Sequence, residues 1–400
     1  MGVCLSKKSH NGKLTDIFRS DSRDSSTTTY FESATTFMRE FSSFDGGHCR
    51  LHARLPRVVK MVVLGCENTG KSTIIRQLRL IHGQKFTEKE LKAFKKTIQD
   101  NTWSSYKTIV NLIDFEGGEE NNRDSDLESV STLNSLESDF RLKTAKNEKH
   151  EIIVPENIIS LLNLVKIVQE VSDLMLTSEL VSSLQNLKGI FDKLNLKITI
   201  SDREKYLISN TPRILNTNYT PSDTDILNCK SVTTGPTEYI IENCCQKWLL
   251  IDTCGRKEER KNWIHCFEKV HVVLYVIALN QYIEVEKFQE SVRLFAQISS
   301  AIWFRETPVI LLLNKIDKFR ELVNITPITV SFQDCEIKDE DLNFDSSCSF
   351  LKKLFDSLRP DSEDIFTHFT CAIRKFSVDI LSAKVSETII SENLGKLHLV

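Results

Sequence analysis

The segment 65–72 carries the first chemistry that the sequence offers. It reads GCENTGKS, in which two glycines separated by four residues are followed by Lys71 and Ser72. A loop with this spacing turns backbone N–H groups around phosphate oxygens, while the lysine reaches the outer phosphates and the serine hydroxyl ligates Mg²⁺. The segment follows an apolar run and opens a predicted helix over 71–82, whose N-terminus favours anions. The spacing therefore predicts a phosphate-binding loop with Mg²⁺.

A second group of candidate residues begins where the run LLID ends at Asp252. Asp252 and Gly255 have the D-x-x-G spacing of a carboxylate that binds Mg²⁺ through water and of an N–H that contacts a γ-phosphate. The same four residues are also compatible with an aspartate that caps the end of a strand. The phosphate loop favours the first interpretation.

A third group follows the apolar run PVILLL and reads NKID, with Asn314, Lys315 and Asp317. A carboxylate accepts hydrogen bonds from both N1–H and N2–H₂ of guanine, and adenine offers no such pair. Asp317 therefore selects guanine, and Asn314 and Lys315 frame the base. The segment TCA (370–372) is expected to supply backbone N–H groups to guanine O6. The order of the three groups predicts a guanine nucleotide rather than ATP.

Composition limits the class of protein. The chain has 400 residues, 40% of them hydrophobic and 27% charged, which predicts two or three domains with packed cores. The formal net charge of −3 gives no broad electrostatic reason to expect nucleic acid as a partner. The 11 cysteines lack C-x-x-C pairs, which favours a reduced cytosolic chain without a thiolate metal site. The apolar run 270–279 is too short to span a bilayer and is typical of a buried strand.

The elements that must position these residues alternate along the chain. Strands are predicted at 58–64, 238–243, 247–252, 270–278, 308–313 and 365–371, and helices at 71–82, 88–114, 156–194, 284–298 and 376–393. The first two strands after 225 are close enough for a hairpin, and the alternation of the others with helices predicts a mostly parallel sheet. An all-helical block thus interrupts an α/β domain.

The domain boundaries follow from changes in composition. Residues 1–57 are rich in serine and threonine and are predicted to be largely disordered. Residues 58–86 form the first part of the α/β domain, 87–218 the inserted helical domain and 219–400 the second part. Within the insertion, 116–150 is predicted to be a disordered segment, because 116–139 holds eight acids against Arg123. It is either a spacer or a docking segment.

The chain resembles the alpha subunits of heterotrimeric G proteins. The resemblance rests on GKSTIIRQLRLIHG (70–83), NYTPSDTDIL with VTTG (218–235), ERKNWIHCFE (259–268), LLLNKID (311–317) and FTHFTCA (366–372). It implies a Ras-like P-loop GTPase domain with a mostly parallel six-stranded sheet and an inserted all-helical domain. It also implies GTP or GDP with Mg²⁺ between the two domains, and switch segments that respond to the γ-phosphate.

The resemblance assigns nucleotide contacts residue by residue. They are Gly65, Cys66, Glu67, Asn68, Thr69, Gly70, Lys71, Ser72, Thr73, Asn210, Leu227, Thr233, Asp252, Gly255, Asn314, Lys315, Asp317, Thr370, Cys371 and Ala372. Ser72 and Thr233 are the implied Mg²⁺ ligands, and 252–268 is the implied second switch.

The resemblance also implies partners and a membrane. The start MGVCLSKK predicts myristoylation of Gly2 and palmitoylation of Cys4, and two acyl chains anchor a protein stably. The expected location is the cytoplasmic face of the plasma membrane. The implied partners are a βγ dimer, a G-protein-coupled receptor and an effector protein. Their expected contacts are Lys261, Trp263, Ile264 and Phe267 in the second switch and Leu394, Leu397 and Leu399 in the tail.

Three positions depart from the family pattern, and all three concern hydrolysis. Glu67 stands where the family has a glycine, Lys230 where it has an arginine finger, and Arg256 where it has the glutamine that orients water. Lysine lacks the planar two-donor fork of arginine, and arginine accepts no hydrogen bond from water. The sequence therefore predicts a GTPase with impaired hydrolysis, unless Arg256 or Lys230 restores part of the function.

Other departures concern exchange and partners. Asn210 and Pro212 replace an aspartate and a small residue that face the nucleotide in the family, which predicts looser closure of the two domains and faster release of GDP. Residues 9–57 lack the amphipathic helical pattern by which the family binds βγ. The alternative function is a non-cycling, nucleotide-bound scaffold that acts through its second switch.

Overall fold

The computed structural model describes residues 58–112, 201–243, 246–332, 343–358 and 366–396. These residues divide into two compact units, with boundaries between Lys85 and Phe86 and between Ser231 and Val232. The predictions for 1–57, including Gly2 and Cys4, for 116–150, for the helix over 156–194 and for Leu397 and Leu399 lie outside the described residues.

The first unit is built on a six-stranded sheet. The strands are β1 Val58–Leu64, β2 Thr237–Asn243, β3 Gln246–Asp252, β4 Val272–Ala278, β5 Val309–Asn314 and β6 Phe366–Thr370. Their spatial order is β2-β3-β1-β4-β5-β6. The β2–β3 pair is antiparallel and the other neighbours are parallel. The predicted hairpin and the mostly parallel sheet are confirmed.

Helices connect the strands and cover the sheet. The α-helices are α1 Lys71–Ile81, α2 Glu88–Leu112, α3 Asp202–Ser209, α4 Thr211–Ile214, α5 Asp223–Asn228, α6 Val285–Ser299, α7 Ile316–Val323, α8 Phe344–Ser357 and α9 Lys375–Lys396. Short 3₁₀ helices span Lys257–Cys266, Leu279–Ile283, Ile302–Phe304 and Ile328–Val330. Within the described residues, no helix is both long enough and apolar enough to cross a bilayer.

Both faces of the sheet are buried, which explains the continuous apolar runs of its central strands. All seven residues of β4 and all six of β5 are buried. One core packs α6, α7 and α8 on one face, around Phe295, Phe319 and Phe355. The other packs α1 and α9 on the opposite face.

The strand register brings the predicted site residues to one edge. Val63 in β1 is paired with Asp252 at the end of β3, and Ala278 at the end of β4 is paired with Asn314. Asn314 is in turn paired with Thr370 at the end of β6. Because parallel strands end at the same edge, the loops that follow these residues lie side by side.

The second unit contains α2 to α5. The sequence placed 219–231 with the phosphate-binding domain, whereas the structure groups them with α2. The reason is the contact of α5 with α2 and α3. A buried carboxylate, Asp225, accepts hydrogen bonds from both terminal nitrogens of Arg213 at 2.7 Å and from the Tyr206 hydroxyl at 2.7 Å.

Asp225→Asn is expected to lower the free energy of unfolding at pH 7 by about 2 kcal/mol, because it replaces the buried carboxylate that accepts charge-assisted hydrogen bonds from Arg213, whose own side chain is 44% exposed. Burial alone would raise the pKa of Asp225, but hydrogen bonds from Arg213, Ser222 and Tyr206 outweigh it and hold the pKa well below the usual range. The contribution is therefore complete above about pH 4 and is lost as the pH falls through the lowered pKa.

Urea unfolding at pH 7 and pH 3 measures this effect. Asp223→Asn, which changes an exposed carboxylate in the same helix, is the matched control. Equal losses for the two variants at pH 7 would contradict the assignment of Asp225 as a structural ion pair.

Candidate nucleotide-binding site

The loop between β1 and α1 requires glycine at both ends. Gly65 has φ 140° and Gly70 has φ 100°, a region that other residues rarely adopt. A Cβ atom on Gly65 would lie 2.3 Å from the carbonyl oxygen of Val276, and one on Gly70 would lie 2.2 Å from Nδ2 of Asn314. The glycines therefore let the loop approach both β4 and the NKID segment.

Lys71 opens α1 and turns its side chain back over the loop. Its buried Nζ donates to the carbonyl oxygens of Gly65 at 3.0 Å and Cys66 at 2.7 Å. Burial lowers the pKa of Lys71 to about 8, although the nearby Asp252 opposes this shift. A phosphate beside Nζ would favour the charged form, so this ammonium is well placed to bind one.

Three oxygen-bearing side chains meet at the start of α1. The Ser72 hydroxyl donates to Oδ2 of Asp252 at 2.6 Å and lies 3.1 Å from the Thr233 hydroxyl. Oδ1 of Asp252 is buried without a hydrogen-bond partner, and burial raises the pKa of this carboxyl. A set of hydroxyl and carboxylate oxygens with one orphaned oxygen fits Mg²⁺. The structure thus brings together the two predicted ligands, Ser72 and Thr233, with Asp252.

Gly255 contacts the phosphate loop through its backbone. A Cβ atom at this position would lie 2.5 Å from the carbonyl of Cys66 and 2.6 Å from Nζ of Lys71. Arg260 holds the contact, since its Nε and Nη2 donate to the Gly255 carbonyl at 3.1 and 3.0 Å and its Nη1 pairs with Glu290 at 2.7 Å. Sequence reasoning did not identify Arg260 or Glu290, because their meeting depends on the packing of α6.

Asn314 joins the phosphate loop to the predicted base-binding segments. Its Nδ2 donates to the Thr69 carbonyl at 2.7 Å, and its Oδ1 accepts from the Ala372 amide at 3.0 Å. Lys315, the next residue, adopts a left-handed conformation with φ 62°. One buried side chain therefore sets the spacing between 65–72 and 370–372.

Asp317 has a buried oxygen, Oδ1, without a hydrogen-bond partner. The Cys371 thiol lies close to it, and burial, reinforced by Asp317, raises the pKa of that thiol to about 12. An orphaned acceptor beside the TCA segment is what a base that offers N1–H and N2–H₂ requires.

The backbone of the TCA segment donates hydrogen bonds to two side chains. The Cys371 amide donates to the Ser377 hydroxyl at 2.9 Å, and the Ala372 amide already donates to Asn314. The Thr370 hydroxyl also lies 2.9 Å from that of Ser377. In this structure the amides of Cys371 and Ala372, two of the three in the segment expected to bind O6, therefore donate to side chains. Ser377 was not predicted, and its position in the first turn of α9 was the only available signal.

Four further predicted residues lie in the loop and in the first turn of α1. Asn68 adopts φ 60°, and the Thr69 hydroxyl donates to the Cys66 carbonyl at 3.0 Å. Thr73 is half-buried in the first turn of α1. Glu67 is exposed and its Oε1 lies 3.9 Å from Nε of Arg256. Two of the three departing positions thus form an ion pair.

The third departing position, Lys230, belongs to the second unit, and its exposed side chain extends from a fixed backbone. Asn101 in α2 accepts from the Lys230 amide at 2.6 Å and donates to its carbonyl at 3.1 Å. Asn101 was not predicted from the sequence, because the pattern of α2 identifies only its apolar face. It acts as a positioning residue for Lys230.

Asn101→Ala is expected to raise the hydrogen-exchange rate of the Lys230 amide about fivefold, since the loss of one hydrogen bond is worth about 1 kcal/mol. Exchange mass spectrometry of the peptide that contains Lys230 measures it. Thr97→Ala, which removes a side-chain hydrogen bond to Ala93 on the same helix, is the control. An unchanged exchange rate in Asn101→Ala would contradict the role of Asn101 in positioning the Lys230 backbone.

Asn210 and Leu227 also lie in the second unit. Asn210 ends α3 and donates from Nδ2 to the Tyr206 carbonyl at 2.8 Å, while its Oδ1 accepts from Arg213 at 3.2 Å. Leu227 is half-buried in α5. The described contacts of Asn210 are those of a residue that joins α3 to α4.

The predicted partner surface is partly corrected. Lys261 and Ile264 are exposed, Ile264 by 51%. Trp263 is only 3% exposed and donates from Nε1 to the Cys254 carbonyl at 2.9 Å. Phe267 packs edge-on against Phe304 at 4.7 Å between ring centroids. Trp263 therefore belongs to the core in this structure, and Phe267 is partly buried against it. The backbone of Leu394 is in α9, and its side chain is outside the description.

Comparison with known proteins gives one consistent result. A family model described as G-protein alpha subunit matches residues 49–389. A "Guanine nucleotide-binding protein subunit alpha" from Sporothrix schenckii is 32% identical over 354 residues, which cover 86% of this chain and 91% of that protein. A protein of the same name from Emericella nidulans is 31% identical over 357 residues with the same coverage. The "Guanine nucleotide-binding protein alpha-1 subunit" of Neurospora crassa is 30% identical over 358 residues, again 86% and 91%.

Proposed function

This chain belongs to the G-protein alpha-subunit family of guanine-nucleotide-binding signal transducers, and from that premise we propose that it holds GTP with Mg²⁺ and hydrolyses GTP slowly. The observation that carries the binding site is the double hydrogen bond of Asn314 to Thr69 and Ala372. It links the phosphate loop to the segment beside Asp317. The segments proposed to bind the phosphates and the base of one nucleotide are therefore held together by Asn314.

Mg²⁺ is proposed at the cluster of Ser72, Thr233 and Asp252. Its support is the short distances among these hydroxyl and carboxylate oxygens and the unpaired Oδ1 of Asp252. Bound there, Mg²⁺ would neutralise charge on the outer phosphates. Lys71, whose Nζ lies against the Gly65 and Cys66 carbonyls, would add a further positive charge.

Members of this family are GTPases, and the slow turnover proposed here rests on three side chains. An arginine at position 256 donates hydrogen bonds but accepts none, so it is unable to orient an attacking water by acceptance. Lys230 offers a point charge in place of a bidentate fork. Glu67 adds a negative charge to a loop whose ligand is an anion.

A non-cycling scaffold is the second candidate function, and one observation favours it. Arg260 donates from Nη2 to Sγ of Cys66 at 3.4 Å as well as to the Gly255 carbonyl, which joins the segment after Asp252 to the phosphate loop. A switch segment that is already held in place would respond little to GTP. Ile264 would then present a constant surface.

Membrane attachment and partners are proposals that rest on the family and on the amino terminus. Gly2 and Cys4 are the proposed sites of myristate and palmitate, and they would place the chain at the cytoplasmic face of the plasma membrane. A receptor, an effector protein and a βγ dimer are the proposed partners. Incorporation of labelled myristate into the natural chain but not into Gly2→Ala tests the first step.

One preparation tests the main proposal. Binding of GDP and of a non-hydrolysable GTP analogue is measured by equilibrium titration with Mg²⁺, and hydrolysis is followed in a single turnover with radiolabelled GTP. Tight binding with slow hydrolysis supports the proposal. Failure to bind guanine nucleotide, or hydrolysis at ordinary family rates, would reject the corresponding part.

Tryptophan fluorescence separates the switch from the scaffold. Trp263 is bonded to the Cys254 carbonyl at the start of the second switch, so movement of this segment would change its emission. A Mg²⁺-dependent change on addition of the GTP analogue, absent in Trp263→Phe, supports a switch. Bound nucleotide without any change supports the scaffold.

A further inference from the structure

Two oppositely charged side chains extend from two backbone segments that touch. Gly255 lies against the Cys66 carbonyl so closely that a Cβ atom would be 2.5 Å away. Glu67 directly follows Cys66, and Arg256 directly follows Gly255. Their side chains approach to 3.9 Å, with 54% and 44% of their surfaces exposed. The pair therefore spans the phosphate loop and the second switch.

We propose that the Glu67–Arg256 pair is an internal counter-charge that sets the preference of this site between GDP and GTP. Arg256 is paired with Glu67 when the outer phosphate is absent, and it turns to the γ-phosphate when GTP is bound. The inference rests on the proposed nucleotide site. It goes further because it assigns the preference between GDP and GTP to the Glu67–Arg256 pair, whereas the proposed function concerns only the rate of GTP hydrolysis.

The position of the pair supports this role. Nζ of Lys71, which is bonded to the Cys66 carbonyl at 2.7 Å and would lie 2.6 Å from a Cβ atom on Gly255, marks the place of the outer phosphates. Both charged residues are chain neighbours of the two residues that enclose this ammonium. A phosphate bound beside this ammonium would lie next to the backbone from which Glu67 and Arg256 extend, so its charge would act on both side chains.

The neighbouring cations have other partners. Arg260 is engaged by Glu290 and the Gly255 carbonyl. Lys257 pairs with Glu290 at 3.1 Å, and Lys287 pairs with Glu284. Within the described residues, the cation paired with Glu67 is thus Arg256. When the γ-phosphate attracts Arg256, Glu67 is left beside the phosphate without its ion-pair partner, and the exposed Lys287, which is paired with Glu284, adds only a weaker attraction.

The pair has little structural value of its own. An exposed ion pair at this distance adds little to the stability of a folded protein, because solvent screens it and ordering two long side chains costs entropy. A purely structural role thus predicts small changes in melting temperature and none in nucleotide preference. The proposed role also predicts small changes in melting temperature, but it predicts a clear change in nucleotide preference.

A double-mutant cycle on the ratio of affinities for a non-hydrolysable GTP analogue and GDP tests the inference. Glu67→Gln is expected to raise the ratio about tenfold, since it removes both the repulsion of the γ-phosphate and the competitor for Arg256. Arg256→Gln is expected to lower it. The double variant is expected to return toward the natural ratio, with a coupling of about two- to fivefold between the sites, the range of an exposed pair.

The controls separate this inference from the function on which it rests. Glu258→Gln removes an exposed carboxylate two residues after Arg256 and is expected to leave the ratio unchanged. GDP affinity and melting temperature are measured for every variant. Loss of all guanine-nucleotide binding in the natural chain would reject the proposed function. Retained GDP binding with an unchanged ratio, or with fully additive effects, would overturn the counter-charge alone.

Discussion

A variant that combines Glu67→Gly, Lys230→Arg and Arg256→Gln hydrolyses GTP ~10³-fold or more faster than the natural chain, because an arginine finger alone is worth ~10³–10⁵ in rate. The glutamine introduced at position 256 would accept a hydrogen bond from the attacking water as well as donate one. The arginine introduced at position 230 would present two parallel donors to the transition state. Removal of the carboxylate at position 67 gives the water access to the γ-phosphate. Single-turnover hydrolysis of radiolabelled GTP measures the gain.

The single variant Lys230→Arg tests whether the three positions act together. Residues that stabilise one transition state do not contribute additively, so Lys230→Arg alone is expected to gain far less than the triple variant. Affinity for a non-hydrolysable GTP analogue is the control for binding. A natural chain that already turns over as fast as the triple variant would show that Arg256 or Lys230 performs the missing role.

Asp317→Asn lowers the affinity for GDP by ~10³-fold and transfers preference to xanthosine diphosphate. A site that hydrogen-bonds a polar group rejects an unmatched ligand by large factors, since buried polar groups are left unpaired. Guanine offers two donors to the carboxylate, whereas xanthine has a carbonyl in place of the amino group and accepts from the asparagine amide. Oδ1 of Asp317 is buried and unpaired, as this recognition requires.

Equilibrium titration with GDP and with xanthosine diphosphate measures this change in preference. Glu321→Gln removes a carboxylate from the same helix, where it is exposed and paired with Lys318 at 2.7 Å, and is expected to change neither affinity. If Asp317→Asn bound GDP as tightly as the natural chain, guanine recognition would have to be assigned elsewhere.

The phosphate loop was predictable because its chemistry is local. Gly65, Gly70, Lys71 and Ser72 are close in the chain, and the conformation of a glycine turn before a helix depends mainly on its own residues. The strands were predictable for a related reason, since a buried parallel strand is apolar along its whole length. β4 and β5 have this pattern and lie in the interior of the sheet.

Residues with a less local role escaped prediction. Asn101 acts through hydrogen bonds to a segment far away in the chain, and Ser377 through a hydrogen bond to the loop before its own helix. A lone serine or asparagine has no distinctive spacing. Trp263 was expected at a partner surface, but its indole N–H is satisfied by the Cys254 carbonyl and its ring is buried. An aromatic residue in a polar segment fits either place until the packing is known.

The sequence alone was sufficient to predict the ligand class, because phosphate and guanine recognition each depend on a short motif whose backbone geometry is local. It also determined that Glu67, Lys230 and Arg256 are unusual. The meeting of Glu67 and Arg256, in contrast, follows from the fold and from no local pattern. That meeting depends on the parallel pairing of β1 with β3, which sets the end of one strand beside the end of the other. Two changes that each look like a defect in the sequence are, in the folded chain, opposite charges that compensate each other.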